Sequence, residues 1–335
     1  MSSTSARIRA TGEDAPDAVD RLVSLAKAVG DRLRAEILRV LHQESYAVGE
    51  LCEVFDVPQP ALSHHLKILH QAGLVARRRE GNSIFYRRTV PSPAAAALFS
   101  GLDCEPIDDA LAGRIGLIHE RRNERSARFF EDNAAEITTH QAEICEADTY
   151  LEAVLEMIDS AIEQGAATGH ALEVGPGTGT LLAQLANRFD RATGLDNSPS
   201  MLEAAEATLR DTAGVTLKLQ DFMNLPAKPA YDALVAAMVV HHQASPASFF
   251  KQAAALLRPG GCILVAELCQ HDQEWAQTAC GDQWLGFDPD ELIAWAERAG
   301  LELDESQYLA QKNGFRLQVH RFLQAGKPST SLKPT

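Results

Sequence analysis

Along residues 19–41, apolar side chains return every three or four positions, at Leu22, Leu25, Ala26, Val29, Leu33, Ile37, Val40 and Leu41. That is the period of a helix with one buried face. Gly30-Asp31 interrupts the run, so a second helix is expected to start with Asp31 as its cap. Residues 48–55 and 58–72 continue the helical pattern, and Gly73 closes the latter. The period then drops to two. Residues 74–79 and 83–89 alternate around Glu80-Gly81-Asn82, which predicts a β-hairpin. Pro91-Ser92-Pro93 and the alanines after it mark a boundary.

Residues 106–164 are mostly helical in pattern, with stripes at Leu111, Ile115 and Ile118, then Phe129, Phe130 and Ile137, then Leu151, Val154, Leu155, Ile158 and Ile162. Either an amphipathic connector or a dimer-forming helix fits them. From His170 onward short apolar runs alternate with helical ones, which indicates a parallel sheet with crossover helices. The strands fall at 171–174, 192–195, 215–220, 233–238 and 263–267, with two more near 302–309 and 315–322. The expected organisation is a tail at 1–18, a first domain at 19–92, a helical linker at 93–124, a second domain at 125–324 and a tail at 325–335.

A chain of 335 residues accommodates two domains at roughly 100–200 residues each. With 45% hydrophobic and 23% charged residues it has the composition of a soluble globular protein. No apolar run approaches the ~20 residues that span a bilayer, so no membrane is expected. Residues 1–10 lack the apolar stretch of a signal peptide, and six cysteines occur without a CxxC pair. Both features fit reduced thiols and a cytoplasmic location. The net charge of −15 disfavours nucleic acid until it is divided along the chain. Residues 21–90 carry 11 Lys/Arg against 7 Asp/Glu, a net of +4, whereas residues 101–335 carry 18 against 35, a net of −17. Exposed charges are screened beyond about 8 Å at physiological ionic strength, so a basic first domain can still attract phosphate.

Helices followed by a basic hairpin are the layout of a winged helix-turn-helix, whose second motif helix enters the major groove. In residues 59–69, Leu62, Leu66 and Leu69 share one face, which should hold the helix to the core. Gln59, Ser63, His64 and Lys67 share the other, where Gln suits adenine, and Ser and Lys suit base edges or phosphate. The wing presents Arg77, Arg78 and Arg79 before the turn and Tyr86, Arg87 and Arg88 after it. The run LSHHLKILHQAGLVARRREGNSIFYR closely resembles the ArsR-type winged-helix repressors of bacteria over roughly residues 20–90. The resemblance implies a homodimer on an inverted-repeat operator, with an effector controlling transcription. Many relatives sense metals through two cysteines before the recognition motif. Ala47 and Gly49 stand in those places, and Cys52 falls at a position expected to face the core. Metal binding is therefore not expected.

In the second domain, the strand Ala171-Leu172-Glu173-Val174 runs into Gly175-Pro176-Gly177-Thr178-Gly179-Thr180 and then a helix. Such a loop lets a ligand approach the backbone beside the positive end of the helix. Asp196 follows at the end of the second strand, about where an acidic residue binds ribose hydroxyls, and Asp221 ends the third. The glycines occupy the first, third and fifth positions rather than the first, third and sixth of a dinucleotide site. Glu173 lies two residues before the loop, where a carboxylate can meet an ammonium group. These features favour a ligand with an amino-acid end and a ribose.

The pattern E-x-G-x-G-x-G, with GLDNSPSML, LQDFMNLP and LLRPGGCILVAE, resembles class I S-adenosylmethionine-dependent methyltransferases over about residues 125–324. The fold class expected is therefore α/β: an α+β winged helix-turn-helix, then a Rossmann-like, doubly wound, seven-stranded sheet. By this resemblance Glu173, Gly175 and Gly177, with Thr178 and Gly179 of the same loop, would meet the methionine part of S-adenosylmethionine or S-adenosylhomocysteine. Asp196 would take the ribose, with Asn197, Ser198 and Met201 around the adenosine, and Asp221 and Phe222 would bind and flank the adenine. Relatives place substrate near the end of the fourth strand, here Met238-Val239-Val240-His241-His242. His241 or His242 could act as general base there, or both could pack under the cofactor without chemistry. Cys145, Cys262, Cys269 and Cys280 show no clustered spacing for thiol chemistry. Two readings stay open: a DNA-binding regulator with the adenosyl nucleoside as effector, or an active methyltransferase of a small molecule that also regulates transcription.

Overall fold

The computed structural model describes residues 17–42, 44–80, 83–145 and 147–324, leaving aside the side chains at 134–139, 142 and 147. Of the expected tails at 1–18 and 325–335, residues 1–16 and 325–335 lie outside the described residues, as does the Gly81-Asn82 turn, whereas Asp17 caps α1 and Ala18 opens it. Contacts divide the chain into one unit ending at Asp108 and a second beginning at Asp109, with residues 79–83 grouped with the second.

The first unit contains α1 (Ala18–Val29), α2 (Arg32–Val40), β1 (Tyr46–Ala47), α3 (Val48–Phe55), α4 (Gln59–Gln71), β2 (Val75–Glu80), β3 (Ser83–Arg88) and α5 (Pro93–Asp103). Asp31 caps α2 as its sequence position suggests, its Oδ1 accepting from the Arg34 N–H at 3.0 Å. Ile37, Leu38, Leu51, Val54, Leu62, Leu66 and Leu69 are fully buried and pack α2, α3 and α4 together. Cys52, expected to face this core, is only half-buried, because Leu51 and Val54 take the inward face of α3. The three strands form a small sheet in the order β1-β3-β2, with β1 antiparallel to β3. This is a winged helix-turn-helix.

The second unit opens with α6 (Asp109–Ile144) and α7 (Ala147–Glu163). Alternation follows: β4 (Ala171–Val174), α8 (Thr180–Ala186), β5 (Ala192–Asp196), α9 (Pro199–Leu209), β6 (Val215–Leu219), β7 (Tyr231–Ala237), α10 (Pro246–Leu256) and β8 (Leu257–Leu268). The chain ends with α11 (Trp275–Ala279), α12 (Pro289–Arg298), β9 (Leu301–Ala310) and β10 (Arg316–Gln324). The expected domain start at residue 125 falls inside α6, a helix unbroken from Asp109.

Seven strands form one sheet in the order β6-β5-β4-β7-β8-β10-β9. The first five are mutually parallel, and β10 runs antiparallel to both β8 and β9. Every residue of β4 and β7 is buried, as expected for parallel strands covered on both faces. Strand order reverses at β4, whose neighbours are β5 and β7. In open α/β sheets the crevice beyond the strand ends at such a reversal is where ligands bind.

Candidate functional site

On α4, Leu62, Leu66 and Leu69 face inward, which leaves Gln59, Ser63, His64 and Lys67 exposed together. Pro58 caps the helix and Pro60 sits in its first turn, so the chain enters it in a fixed direction. On β2, Arg77 and Arg79 are exposed and Arg78 is half-buried; on β3, Tyr86 and Arg87 are half-buried. Arg88 departs from the rest. Its guanidinium donates to both Asp103 carboxylate oxygens at 2.8 and 2.7 Å and lies 4.3 Å from the centroid of the Phe99 ring. A side chain so engaged ties β3 to α5 and is not available to phosphate.

The loop after β4 is set by glycines. Gly175 holds φ +66, and a Cβ there would lie 2.6 Å from Val239 Cγ2. Gly177 holds φ +53, yet a Cβ on it would meet nothing within 4 Å, so open space lies before it. Glu173 is buried, and its Oε2 has no hydrogen-bond partner. Burial raises the Glu173 carboxyl to about 8. An orphaned buried carboxyl beside an open glycine turn fits the ammonium end of an amino-acid ligand. Asp196, at the end of β5, accepts from the Ser198 N–H at 2.8 Å. Burial raises it to about 6 against the opposing pull of the Ser198 and Asn197 N–H groups. Ser198 is buried, Asn197 exposed and Met201 half-buried at the start of α9. Asp221 accepts from the Met223 N–H at 2.9 Å, and Phe222 is buried with its ring 4.7 Å from that of Phe249. Thr178 is exposed, its hydroxyl 3.2 Å from that of Thr180.

At the end of β7 the two histidines take different positions. His241 is buried, with Nδ1 2.7 Å from Glu267 Oε2 and Nε2 3.6 Å from Asp282 Oδ1. Burial lowers its pKa, but Glu267 and Asp282 outweigh burial and raise it to about 9. His242 is pulled down by burial and then by the charge of His241. At neutral pH, His241 therefore holds its proton, and His242 is held neutral. Glu267 Oε1 accepts from the backbone N–H groups of Val239, Val240 and His241 at 3.0, 2.6 and 3.2 Å, which fixes the turn after β7.

Five residues around the site were not given a role by the sequence reading. Glu267 is the penultimate residue of β8 and could have been found there, since parallel strand ends line the crevice. Asp282 lies in an irregular segment with no signal. Tyr150 on α7 is raised by burial, then by Glu173, Cys145 and Glu267. Arg122, within the expected linker, donates to the Ala244 carbonyl at 2.9 Å and packs 4.9 Å from the Trp284 ring. Phe130 of the same helix meets the His242 ring edge-on at 4.9 Å, so α6 walls this end of the site. The three tryptophans separate as well: Trp284 and Trp295 are buried, and Trp275 is half-buried. Cys145 and Cys280 share one buried cluster, and burial pushes the Cys280 thiol up to about 12 and Cys262 to about 11. Such thiols are not thiolates at neutral pH.

Comparison with known proteins agrees with both halves. Residues 31–77 match the model of the arsR family of bacterial regulatory proteins, and residues 171–261 match a methyltransferase domain. The transcriptional repressor SdpR of Bacillus subtilis is 38% identical over 60 residues, covering 18% of this chain and 67% of that protein. An uncharacterized methyltransferase of Bacillus velezensis is 33% identical over 151 residues, covering 44% of this chain and 68% of its own. A ubiquinone biosynthesis O-methyltransferase of Xanthomonas axonopodis pv. citri is 26% identical over 167 residues, covering 45% and 69%. The chain belongs to the arsR family of bacterial regulatory proteins through its N-terminal domain and carries a methyltransferase domain fused behind it.

Proposed function

We propose that the chain is a homodimeric transcriptional regulator whose methyltransferase domain binds S-adenosylmethionine or S-adenosylhomocysteine as its effector. One observation carries the reading: Glu173 Oε2 is buried without a partner beside the open turn at Gly177. An ammonium group would compensate that carboxylate, Asp196 would accept from ribose hydroxyls, and Asp221 and Phe222 would border the adenine. In the first domain the exposed face of α4 would read an operator in the major groove, and Arg77, Arg79 and their neighbours would hold phosphate. Val19, Leu22 and Val23 stand exposed on α1, an apolar surface that a second copy would cover. Among the described residues no helix is long and apolar enough to cross a membrane. A regulator of transcription would work on DNA in the cytoplasm.

A second reading, an active methyltransferase of a small molecule, is favoured by the buried His241–Glu267–Asp282 cluster at the end of β7. When bound, S-adenosylmethionine supplies an electrophilic methyl group. His242 would take the proton of an acceptor hydroxyl, and α6 would exclude water. The similarity to an O-methyltransferase supports an oxygen acceptor. Calorimetric titration of the full chain with both nucleosides tests the shared part. One saturable site per chain for each is expected, and no heat with either would end both readings. Label transfer to a metabolite from a cell extract then favours the enzyme, and its absence with binding intact favours the sensor.

A further inference from the structure

We propose that His241, His242 and Asp282 form a binding site for one divalent transition-metal ion at the end of β7, with one coordination position left for a ligand oxygen. Each residue offers a donor atom, and the three lie within 4.8 Å of one another. Asp282 Oδ1 is 3.6 Å from His241 Nε2 and 4.0 Å from His242 Nδ1. Donors about 2.0–2.2 Å from a tetrahedral ion stand roughly 3.4 Å apart. Small side-chain rotations therefore close the cluster onto an ion.

Three further observations point the same way. Both Asp282 oxygens are buried without a hydrogen-bond partner, and the Asp282 side chain is 1% exposed; His242 Nδ1, the nitrogen nearest Asp282, has a 3.4 Å contact with the Gly281 carbonyl that an ion would replace. A buried carboxylate lacking donors is costly unless a cation sits beside it. The second observation is the support behind the donors. Glu267 Oε2 lies 2.7 Å from His241 Nδ1, which assigns the Nδ1 proton to that contact and leaves Nε2 facing Asp282. A carboxylate behind a ligating imidazole is the usual outer support of a metal site, fixing ring orientation and raising basicity. Here that carboxylate is itself held by three backbone N–H groups. Thirdly, two imidazoles and one carboxylate suit zinc, iron(II) or cobalt(II) rather than magnesium or calcium, which prefer oxygen alone.

The alternative occupant of the same space is a proton on Nε2, which also places positive charge between Glu267 and Asp282. Proton and metal compete for one lone pair, and titration separates them. The position also suggests a use. Val239, two residues before His241, is the side chain that a Cβ on Gly175 would strike. The metal cluster and the glycine turn thus adjoin the same segment, and an ion there would hold an acceptor's hydroxyl or carboxylate oxygen. That use rests on the methyltransferase reading and takes the place of His242 as proton acceptor, because a ligated neutral imidazole has no second lone pair; the ion site itself does not rest on it.

The test is titration of the chelator-treated full chain with Co²⁺, followed by visible absorption, with Zn²⁺ as competitor. One Co²⁺ per chain is expected to saturate an intense four-coordinate band that Zn²⁺ abolishes. Asp282→Asn and His242→Gln should each weaken Co²⁺ binding by about 100-fold or more, and Glu267→Gln by about 10–100-fold. Thermal unfolding of each variant shows whether it is folded, and either of the first two suffices if the other is not. No saturable one-to-one band in the unsubstituted chain would overturn the proposal. So would a band whose affinity survives both Asp282→Asn and His242→Gln, since the ion would then lie elsewhere. Calorimetry with S-adenosylhomocysteine on the same sample separates the two claims: lost metal with intact nucleoside binding removes only the ion site, and the reverse removes only the nucleoside site.

Discussion

Glu173→Gln is expected to stabilise the ligand-free chain while weakening its affinity for S-adenosylhomocysteine by about 30–150-fold, the loss of one charge-assisted hydrogen bond worth ~2–3 kcal/mol. The two signs follow from one fact. The Glu173 carboxyl is buried with an unpartnered oxygen, and burial raises its pKa from 4.5 to about 8. A raised carboxyl pKa means that the folded chain binds the proton more tightly than the unfolded one does. The ligand-free fold therefore loses stability as pH climbs from the ordinary carboxyl range through about 8. Gln carries no such charge, so its melting temperature should be higher near pH 8 and lack that fall. An ammonium ligand prefers the ionised carboxyl. Binding below about pH 8 should therefore release up to one proton, and affinity should rise with pH until the group is ionised. Calorimetry in two buffers of different ionisation enthalpy measures the proton directly. Unchanged affinity in the Gln variant would show that Glu173 faces no ammonium.

Replacing Lys67, Arg77 and Arg79 together by Ala should nearly abolish DNA binding at physiological salt. Each phosphate contact contributes about 0.9 to the slope of log affinity against log salt. Three contacts on each protomer of a dimer thus remove about 5 from that slope and weaken binding about 10⁴-fold near 0.15 M salt. Arg88 supplies the contrast. Arg88→Ala breaks a two-pronged pair with Asp103 and a contact with the Phe99 ring. It should lower the melting temperature and leave the salt slope unchanged. Electrophoretic or anisotropy titrations across a salt series read both, and an unaltered slope in the triple variant would remove the wing and α4 from the DNA interface.

Local periodicity made much of this molecule legible. Leu62, Leu66 and Leu69 placed α4 and its outward face, and the strand-then-glycine pattern from Ala171 placed the glycine turn after β4, because both depend on neighbours in sequence. What escaped depends on long-range contacts. A charge run cannot tell that Arg88 turns inward to Asp103 while Arg77 and Arg79 stay out. Asp282 reaches the His pair from a segment about forty residues away, with no spacing rule to announce it. Arg122 and Phe130 looked like connector residues, since only the folded α6 brings them against Trp284 and His242. Of two adjacent histidines, only the surrounding carboxylates show which keeps its proton.

A nucleoside bound in the second domain acts as effector only if it changes the DNA affinity of the first. An effector must bind the free and DNA-bound states unequally, and couplings of about 1–3 kcal/mol change affinity by about 5–150-fold. The direct measurement is titration of the full chain onto its own promoter DNA, alone and with saturating S-adenosylmethionine or S-adenosylhomocysteine. A shift of at least about fivefold in DNA affinity is expected with one of the two nucleosides. Superimposable curves, with calorimetry showing the nucleoside site filled, would contradict it.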